Sequence, residues 1–144
     1  MKRNMRIMSI DYGDARVGIA ITDALGITAQ GLETIQRNNS DKIVLKRLEE
    51  IIKEYKVGTI VVGMPYNLKG EKTVRAEKTE KFIHKLKCKF NTINIENVDE
   101  RLTTVEAHKT MNFLDVNKNK KRNIVDTISA VYILETYMER EKNS

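Results

Sequence analysis

The order of hydrophobic periods along the chain restricts its fold more than any other feature. Apolar residues first follow the two-residue period of strands in three successive segments, Met5–Asp11, Val17–Thr22 and Thr28–Gln36. The links between these segments are short, which predicts an antiparallel meander. Strand and helix periods alternate after the third segment, so we expect the rest of the chain to extend the same sheet.

Two further strands and four helices are predicted after the meander. Thr59–Gly63 is a short continuous apolar run, typical of a strand buried on both faces of a sheet, and Thr92–Glu100 is a less regular strand. Apolar residues at helical spacing predict helices over Ser40–Tyr55, Glu71–Phe90, Thr104–Phe113 and Ile124–Arg140. The sequence therefore predicts an α/β fold, with one mixed sheet covered by helices, in a single domain over residues 1–144.

Capping residues indicate where two of these helices begin and end. Ser40 is the expected N-cap of the first helix, and Gly58 is expected to end it. Asn123 is the expected N-cap of the last helix. The segment before it, Lys118–Arg122, is therefore expected to be a basic loop.

Composition indicates a soluble protein of a reducing compartment. The chain has 144 residues, 40% of them apolar and 32% charged, and no segment has the length and apolar character of a signal peptide or membrane span. The single cysteine, Cys88, forms no internal disulfide and is expected to be a small buried side chain. We therefore expect a cytoplasmic protein with no membrane partner. The net charge of +6 favours a polyanionic partner, but only weakly.

Acidic residues lie at positions that an α/β sheet brings to one edge. Asp11 closes the first strand, Asp99 and Glu100 close the last one, and Asp126 lies near the start of the last helix. Open α/β sheets bind ligands at the carboxyl ends of their strands, and crowded carboxylates repel one another unless a cation lies among them. Oxygen ligands of this kind favour Mg²⁺ or Mn²⁺, ions that activate water in phosphodiester hydrolysis.

Each acid also has a purely structural interpretation. Asp11 suits a hairpin turn, and Asp126 suits the third position of a helix that begins after Asn123, where an acid stabilises the helix dipole. Asp99 and Glu100 suit a solvated strand end. Side-chain alternation does not choose between these two, because the chain leaves the strand there. The sequence pattern leaves these interpretations open.

Four motifs, in order along nearly the whole chain, resemble the YqgF (RuvX) family of the ribonuclease H-like superfamily. They are DYGDARVGIAITD from Asp11, GMPYNLKG from Gly63, DERLTTVEA from Asp99 and a basic stretch that runs into VDTISAVYILE from Val125. The resemblance implies a ribonuclease H-like fold, with a mixed five-stranded sheet of three antiparallel and then two parallel strands, flanked by helices. Members of the family are described as Holliday-junction resolvases and as nucleases that process the 5′ end of pre-16S ribosomal RNA.

The resemblance also implies an acidic metal site for Mg²⁺ or Mn²⁺. Its catalytic ligands correspond to Asp11, Glu100 and Asp126, with Asp99 as a substitute or supporting neighbour of Glu100. Many ribonuclease H-like nucleases carry an acid at the end of the strand that corresponds to TIVVG, but this chain has Gly63 there. The missing ligand is therefore expected to come from the neighbouring strand.

Basic residues accompany the candidate acids along the sequence. Arg16 and Arg101 each follow a candidate ligand by a few residues and are expected either to bind a phosphate or to hold a carboxylate in place. A basic run before Asp126 is expected to bind the backbone of a nucleic acid without reading its sequence. This run includes Lys120, Lys121 and Arg122.

These features favour a divalent-metal-dependent endonuclease that acts on structured RNA, as a monomer or homodimer. The resemblance to the family implies that its role is processing of the 5′ end of pre-16S rRNA. Tyr12 and Tyr66 are the aromatic residues expected near the site, and this scarcity favours recognition of structured backbone over stacking on single-stranded bases. A resolvase of four-way DNA junctions uses the same chemistry. A nucleic-acid-binding factor without catalytic activity keeps the fold but lacks a working metal site. The sequence pattern does not separate the RNA endonuclease from the junction resolvase.

Overall fold

The structure is a computed structural model that describes residues 5–100 and 118–143, and in the last helix it describes side chains from residue 127 onward. Five strands and three helices lie within the described residues. In chain order they are β1 (Arg6–Tyr12), β2 (Arg16–Thr22), β3 (Ala29–Gln36), α1 (Asp41–Tyr55), β4 (Val57–Met64), α2 (Val74–Lys89), β5 (Asn94–Asp99) and α3 (Lys118–Lys142).

The five strands form one mixed sheet in the order β3-β2-β1-β4-β5. The β1–β2 and β2–β3 pairs are antiparallel, whereas the β1–β4 and β4–β5 pairs are parallel. Helices α1 and α2 form the crossovers that parallel neighbours need. The predicted mixed sheet of three antiparallel and then two parallel strands is therefore confirmed.

The two faces of the sheet are covered by different helices. Met8, Ile10 and Tyr12 of β1 pack into a core that α1 and α2 complete. The alternate residues of the same strand face α3, because successive side chains of a strand point to opposite faces. Ser9, for example, is fully buried and donates a hydrogen bond of 2.5 Å to the carbonyl oxygen of Ala130 in α3.

Helix α3 begins six residues before the predicted start at Ile124. The Lys118–Arg122 segment is therefore the beginning of the helix, and its prediction as a loop was wrong. Asn123 lies inside the helix, so its prediction as an N-cap was also wrong. Asp126 consequently lies in the third turn of α3, where it is too far from the helix start to act as a capping residue.

Both ends of α1 differ from the prediction in the residues or bonds that cap the helix. Ser40 is at the N-cap position with extended backbone, but its side chain makes no capping hydrogen bond. Lys56, at φ 56°, ends the helix in the left-handed conformation, and its N–H bonds to the carbonyl of Ile52. The prediction that Gly58 ends the helix was wrong, because Gly58 lies within β4. The predicted helix over residues 104–113 lies outside the described residues.

A network of charged side chains ties the end of β1 to α1 and α2. Tyr12 donates a hydrogen bond of 2.6 Å to Oδ1 of Asp41, the first residue of α1. Arg37 donates to the same oxygen at 2.8 Å, and Lys85 of α2 donates to Oδ2 at 2.7 Å. Tyr12 also stacks on Phe82 of α2, with ring centroids 4.2 Å apart.

The pKa values of this network follow from burial and from these bonds. Burial and the hydrogen bond to Asp41 raise the pKa of Tyr12 to about 12. Burial also opposes ionisation of Asp41, but the bonds from Lys85, Tyr12 and Arg37 outweigh it and lower the pKa of that carboxyl below its ordinary value of 3.8. Ionised Asp41 therefore stabilises the folded state.

None of the helices within residues 5–100 and 118–143 has both the length and the apolar character needed to cross a membrane.

Replacement of Asp41 by Asn is expected to lower the free energy of unfolding at pH 7 by about 1–3 kcal/mol, because Tyr12, Arg37 and Lys85 lose the negative charge and one of the two acceptor oxygens. The folded-state pKa of Asp41 is lowered, so its contribution is present above pH 3.8 and is lost as the pH falls through the folded-state value. Urea unfolding of wild type and Asp41→Asn between pH 7 and pH 3 measures this difference, which should shrink with acidity. Glu54→Gln, an exposed change on the same helix, should show neither effect.

Candidate active site

Asp11 lies inside β1, on the face of the sheet that α3 covers. It pairs with Gly18 of β2 and precedes Tyr12, the last residue of the strand. Its side chain is 11% exposed, and the Oδ1 atom is buried. The turn of the β1–β2 hairpin comes later, at residues 13–15, so the interpretation of Asp11 as a turn residue was wrong. The carboxylate is held on a rigid strand at the edge where β1 ends.

Gly63 of β4 leaves the space that Glu100 occupies. A Cβ atom on Gly63 would lie 2.8 Å from Cγ of Glu100 and 2.5 Å from Cδ1 of Ile133 in α3. Real Cβ atoms do not approach other atoms this closely, so any larger residue here would force Ile133 or Glu100 to shift. Glu100 is 7% exposed. Its side chain therefore lies over the end of β4, at the position where the sequence lacks an acid.

Register places Asp11 and Glu100 on either side of Gly63. Ile10 of β1 pairs with Val62 of β4, so Asp11 is level with Gly63 on the adjacent strand. Glu100 approaches Gly63 from the other side, since it follows β5, the strand that pairs with β4. Both carboxylates thus lie on the α3 face at the same edge of the sheet.

Asp99 lies on the opposite face of the sheet from Glu100. It pairs with Met64 of β4, whose side chain is part of the core beneath α1 and α2. Its neighbour Val98 packs instead against Ile133 and Tyr137 of α3. Paired residues on parallel strands share a face, so the structure separates the two acids that the sequence pattern could not separate.

Helix α3 brings the backbone of Asp126 toward the face that carries Asp11. The hydrogen bond from Ser9 to Ala130 fixes the helix against β1, and Asp126 precedes Ala130 by one turn. Its side chain lies outside the described part of the structure, as do those of Lys120, Lys121 and Arg122. Arg101 lies outside the described residues altogether.

Arg16 begins β2 at the same edge of the sheet. Strand alternation puts it on the face of Gly18 and Ala20, and Ala20 packs against α3. The hairpin before it is tight, because the N–H of Gly13 donates to the carbonyl of Arg16 at 3.0 Å and a Cβ on Gly13 would lie 2.6 Å from that oxygen. The structure therefore holds Arg16 on the face and at the edge that carry Asp11.

Arg75 is a member of this constellation that the sequence analysis missed. It is the second residue of α2, and its Nη2 atom lies 3.5 Å from Oδ1 of Asp11. No local motif indicates this contact, because 64 residues separate the pair and α2 packs on the other face of the sheet. A basic residue just after a strand-to-helix loop was the one available signal.

The GMPYNLKG motif forms the loop that joins β4 to α2. Oδ1 of Asn67 accepts hydrogen bonds from the N–H groups of Lys69 and Glu71, at 3.0 and 2.9 Å. Thr73 caps α2 by accepting from the N–H of Ala76, and it donates to the carbonyl of Pro65 at 3.2 Å. The helix therefore starts at Val74 rather than at the predicted Glu71, since residues 67–71 form this turn.

Three other predicted side chains are placed away from the acids. Tyr12 is buried on the α1 and α2 side of the sheet, and Tyr66 packs against the edge of the same core, so neither lies on the face of Asp11 and Glu100. Cys88 is exposed, and its prediction as a buried side chain was wrong.

Within the part of the chain whose side chains are described, no three His, Cys, Asp or Glu residues form a group that could hold a metal ion.

The fold is that of RuvC-type proteins. A structure of Thermus thermophilus RuvC in complex with Holliday junction substrate superposes with a TM-score of 0.58, at 10% identity, over 97% of this chain and 98% of that one. The yeast mitochondrial Holliday junction resolvase Ydc2 superposes with a TM-score of 0.54, at 9% identity, over 94% of this chain and 78% of that one.

Sequence comparison gives the family. The RuvX profile, described as Holliday junction resolvase, matches residues 5–140. A protein of Ruminiclostridium cellulolyticum named "Putative pre-16S rRNA nuclease" is 54% identical over 94% of this chain and 95% of its own length. A protein of Acetivibrio thermocellus with the same name is 48% identical over 94% of this chain and 96% of its own. The chain belongs to the RuvX family, as its motifs indicate.

Gly63→Ala tests the close approach over β4. The added methyl would overlap Glu100 and Ile133, so the free energy of unfolding should fall by about 1–3 kcal/mol, the usual cost of overpacking. Ile133→Val removes the nearest overlapping atom and should restore part of this loss in the double variant. Chemical denaturation of wild type, the two single variants and the double variant measures both effects.

Gly58→Ala is the matched control on the same strand. The added Cβ would lie 2.7 Å from Sδ and 3.0 Å from Cβ of Met5, but Met5 is half exposed and precedes β1, so this residue can shift. The expected change is within about 0.5 kcal/mol. Equal losses for the two glycine variants would contradict the role given to Gly63.

Proposed function

We propose that this protein is a divalent-metal-dependent endonuclease that hydrolyses phosphodiester bonds in the 5′ region of pre-16S rRNA. The observation that carries the proposal is the pair of carboxylates, Asp11 and Glu100, held at one sheet edge on either side of Gly63. Two buried or nearly buried acids on one face need a positive partner. The names of the relatives from Ruminiclostridium and Acetivibrio support the choice of RNA.

The donor chemistry of these side chains fits Mg²⁺ or Mn²⁺. Carboxylate oxygens are the ligands these ions prefer, and Gly63 leaves the room in which the second carboxylate lies. Asp11, Glu100 and Asp126 would hold the ion, and Asp126 is available because its place in the third turn of α3 removes its role as a cap. When bound, such an ion activates a water and stabilises the leaving oxygen of the phosphodiester.

The rest of the site would bind and orient the nucleic acid. Arg16, on the same face and at the same edge, is proposed to bind a backbone phosphate with its planar guanidinium. Lys120, Lys121 and Arg122 belong to the first two turns of α3, so they would present charge from a helix rather than from a flexible loop. Such contacts give affinity without sequence readout, so the structure of the RNA would select the cleavage position.

Cleavage of four-way DNA junctions is the second candidate function. The family description and the fold shared with RuvC favour it. Junction resolution requires two active sites related by a two-fold axis, and hence a dimer on the substrate. A protein that remains monomeric when bound to a junction, measured by light scattering, would speak against this candidate.

Cleavage of a pre-16S rRNA leader transcript tests the proposal. Wild type should cut it in Mg²⁺ or Mn²⁺ but not in EDTA. The cleavage rate should fall more than about a hundredfold in each of three variants, Asp11→Asn, Glu100→Gln and Asp126→Asn. This loss is larger than the loss of about ten- to a hundredfold that is usual for residues that only support metal ligands. RNA affinity in EDTA should change little, because these substitutions remove acids rather than phosphate-binding groups.

Asp99→Asn is the matched control, one residue from Glu100 but on the opposite face of the sheet. It should retain activity within about tenfold. Faster cleavage of a four-way junction than of the leader RNA would replace the proposed substrate by the second candidate. Wild type that binds RNA but cleaves neither substrate, in either metal, would favour the binding factor without catalytic activity.

A further inference from the structure

Arg75 is held near Asp11 by the hydrogen-bonded loop that joins β4 to α2. The Asn67 turn and the Thr73 cap fix the beginning of α2, and the bond from Thr73 to Pro65 ties it to the end of β4. Strand β4 is the neighbour of β1, so this anchor determines where the first turn of α2 lies. The guanidinium of Arg75 therefore reaches Asp11 from the other side of the sheet edge.

The contact between Arg75 and Asp11 is weak enough for Arg75 to leave Asp11 and bind another partner. Nη2 of Arg75 lies 3.5 Å from Oδ1 of Asp11, which is an ion pair and longer than a good hydrogen bond. The side chain of Arg75 is 52% exposed, whereas that of Asp11 is 11% exposed. A half-exposed ion pair contributes little to stability. A guanidinium has five N–H donors, more than one carboxylate oxygen can accept from, so Arg75 can bind a second oxygen-rich partner.

We propose that Arg75 is a phosphate-binding residue of the active site. Its guanidinium balances the charge of Asp11 when no divalent cation is bound, and it binds a backbone phosphate of the nucleic acid when Asp11 ligates the cation. The exchange follows from charge, because a carboxylate shared with a divalent ion holds a guanidinium less strongly, and a phosphate offers the same oxygen geometry. This inference rests on the proposed metal-dependent nuclease function.

The alternative is that Arg75 only orients Asp11. The two roles predict opposite changes in metal affinity. If Arg75 competes with the cation for Asp11, its removal should strengthen metal binding while weakening nucleic-acid binding. If Arg75 only orients the carboxylate, its removal should weaken both.

The experiment compares wild type, Arg75→Gln, Arg75→Lys and Lys78→Gln. Lys78 is the matched control because it lies one turn further along α2, is 54% exposed and contacts Asp14 rather than a candidate ligand. Mn²⁺ affinity is measured by titration calorimetry without nucleic acid. Affinity for a labelled RNA hairpin is measured by fluorescence anisotropy in Ca²⁺ over a range of salt concentrations, with the RNA checked to be intact.

Arg75→Gln is expected to bind Mn²⁺ about three- to tenfold more tightly, the scale of one charge at a partly solvated site. Its RNA affinity should fall by about three- to tenfold, and the salt slope should decrease by about one phosphate contact. Arg75→Lys should bind Mn²⁺ as wild type does and recover part of the RNA affinity, because it keeps the charge but loses the planar donor fork. Lys78→Gln should leave Mn²⁺ affinity unchanged.

If wild type binds Mn²⁺ and Arg75→Gln binds it equally or more weakly, the proposed role of Arg75 is overturned. The proposed metal site is not affected by that result. An RNA affinity of Arg75→Gln that falls no further than that of Lys78→Gln would also overturn the role of Arg75. Wild type that binds no Mn²⁺ would overturn the proposed metal site, and this inference with it.

Discussion

The close approach of α3 and Glu100 to the backbone of Gly63 is the constraint on which the candidate site depends. Without a side chain at this position, Ile133 packs directly onto β4, and the side chain of Glu100 lies over the strand end. The absence of a Cβ atom on Gly63 thus determines how closely α3 packs on β4 and where the side chain of Glu100 lies. The bond from Ser9 to Ala130 fixes the same helix against β1, two residues before Asp11. Packing and site geometry therefore have a common cause.

The other side of the sheet gives this edge its rigidity and its positive charge. The network of Tyr12, Asp41, Arg37 and Lys85 holds the end of β1 against α1 and α2, directly behind Asp11. The loop from Pro65 to Thr73 fixes where α2 begins and brings Arg75 to Asp11. A site that must hold carboxylates close together benefits from supports that do not move. Here they come from the core face, while the acids themselves project from the opposite face.

Much of the fold follows from local pattern. Strand and helix periods predict all eight described elements, and the order of the elements predicts the mixed sheet. The errors lie at element ends. Gly58 resembles a helix terminator, yet Lys56 takes the left-handed conformation instead. Asn123 resembles an N-cap, yet the helix extends back to Lys118. Helix ends depend on tertiary packing as well as on the capping residue, so local signals predict them less well than they predict periodicity.

The sequence by itself determined the family and the order of strands and helices, because these depend on residue types and on their spacing. It also predicted the acidic residues that are proposed as metal ligands. The separation of Glu100 and Asp99 onto opposite faces of the sheet, the role of Gly63 and the contact of Arg75 with Asp11 were decided only by the tertiary structure. Each depends on which face of the sheet a side chain occupies, or on residues far apart in the chain that pack together. Register and long-range packing set those relations, and the local sequence pattern carries no record of them.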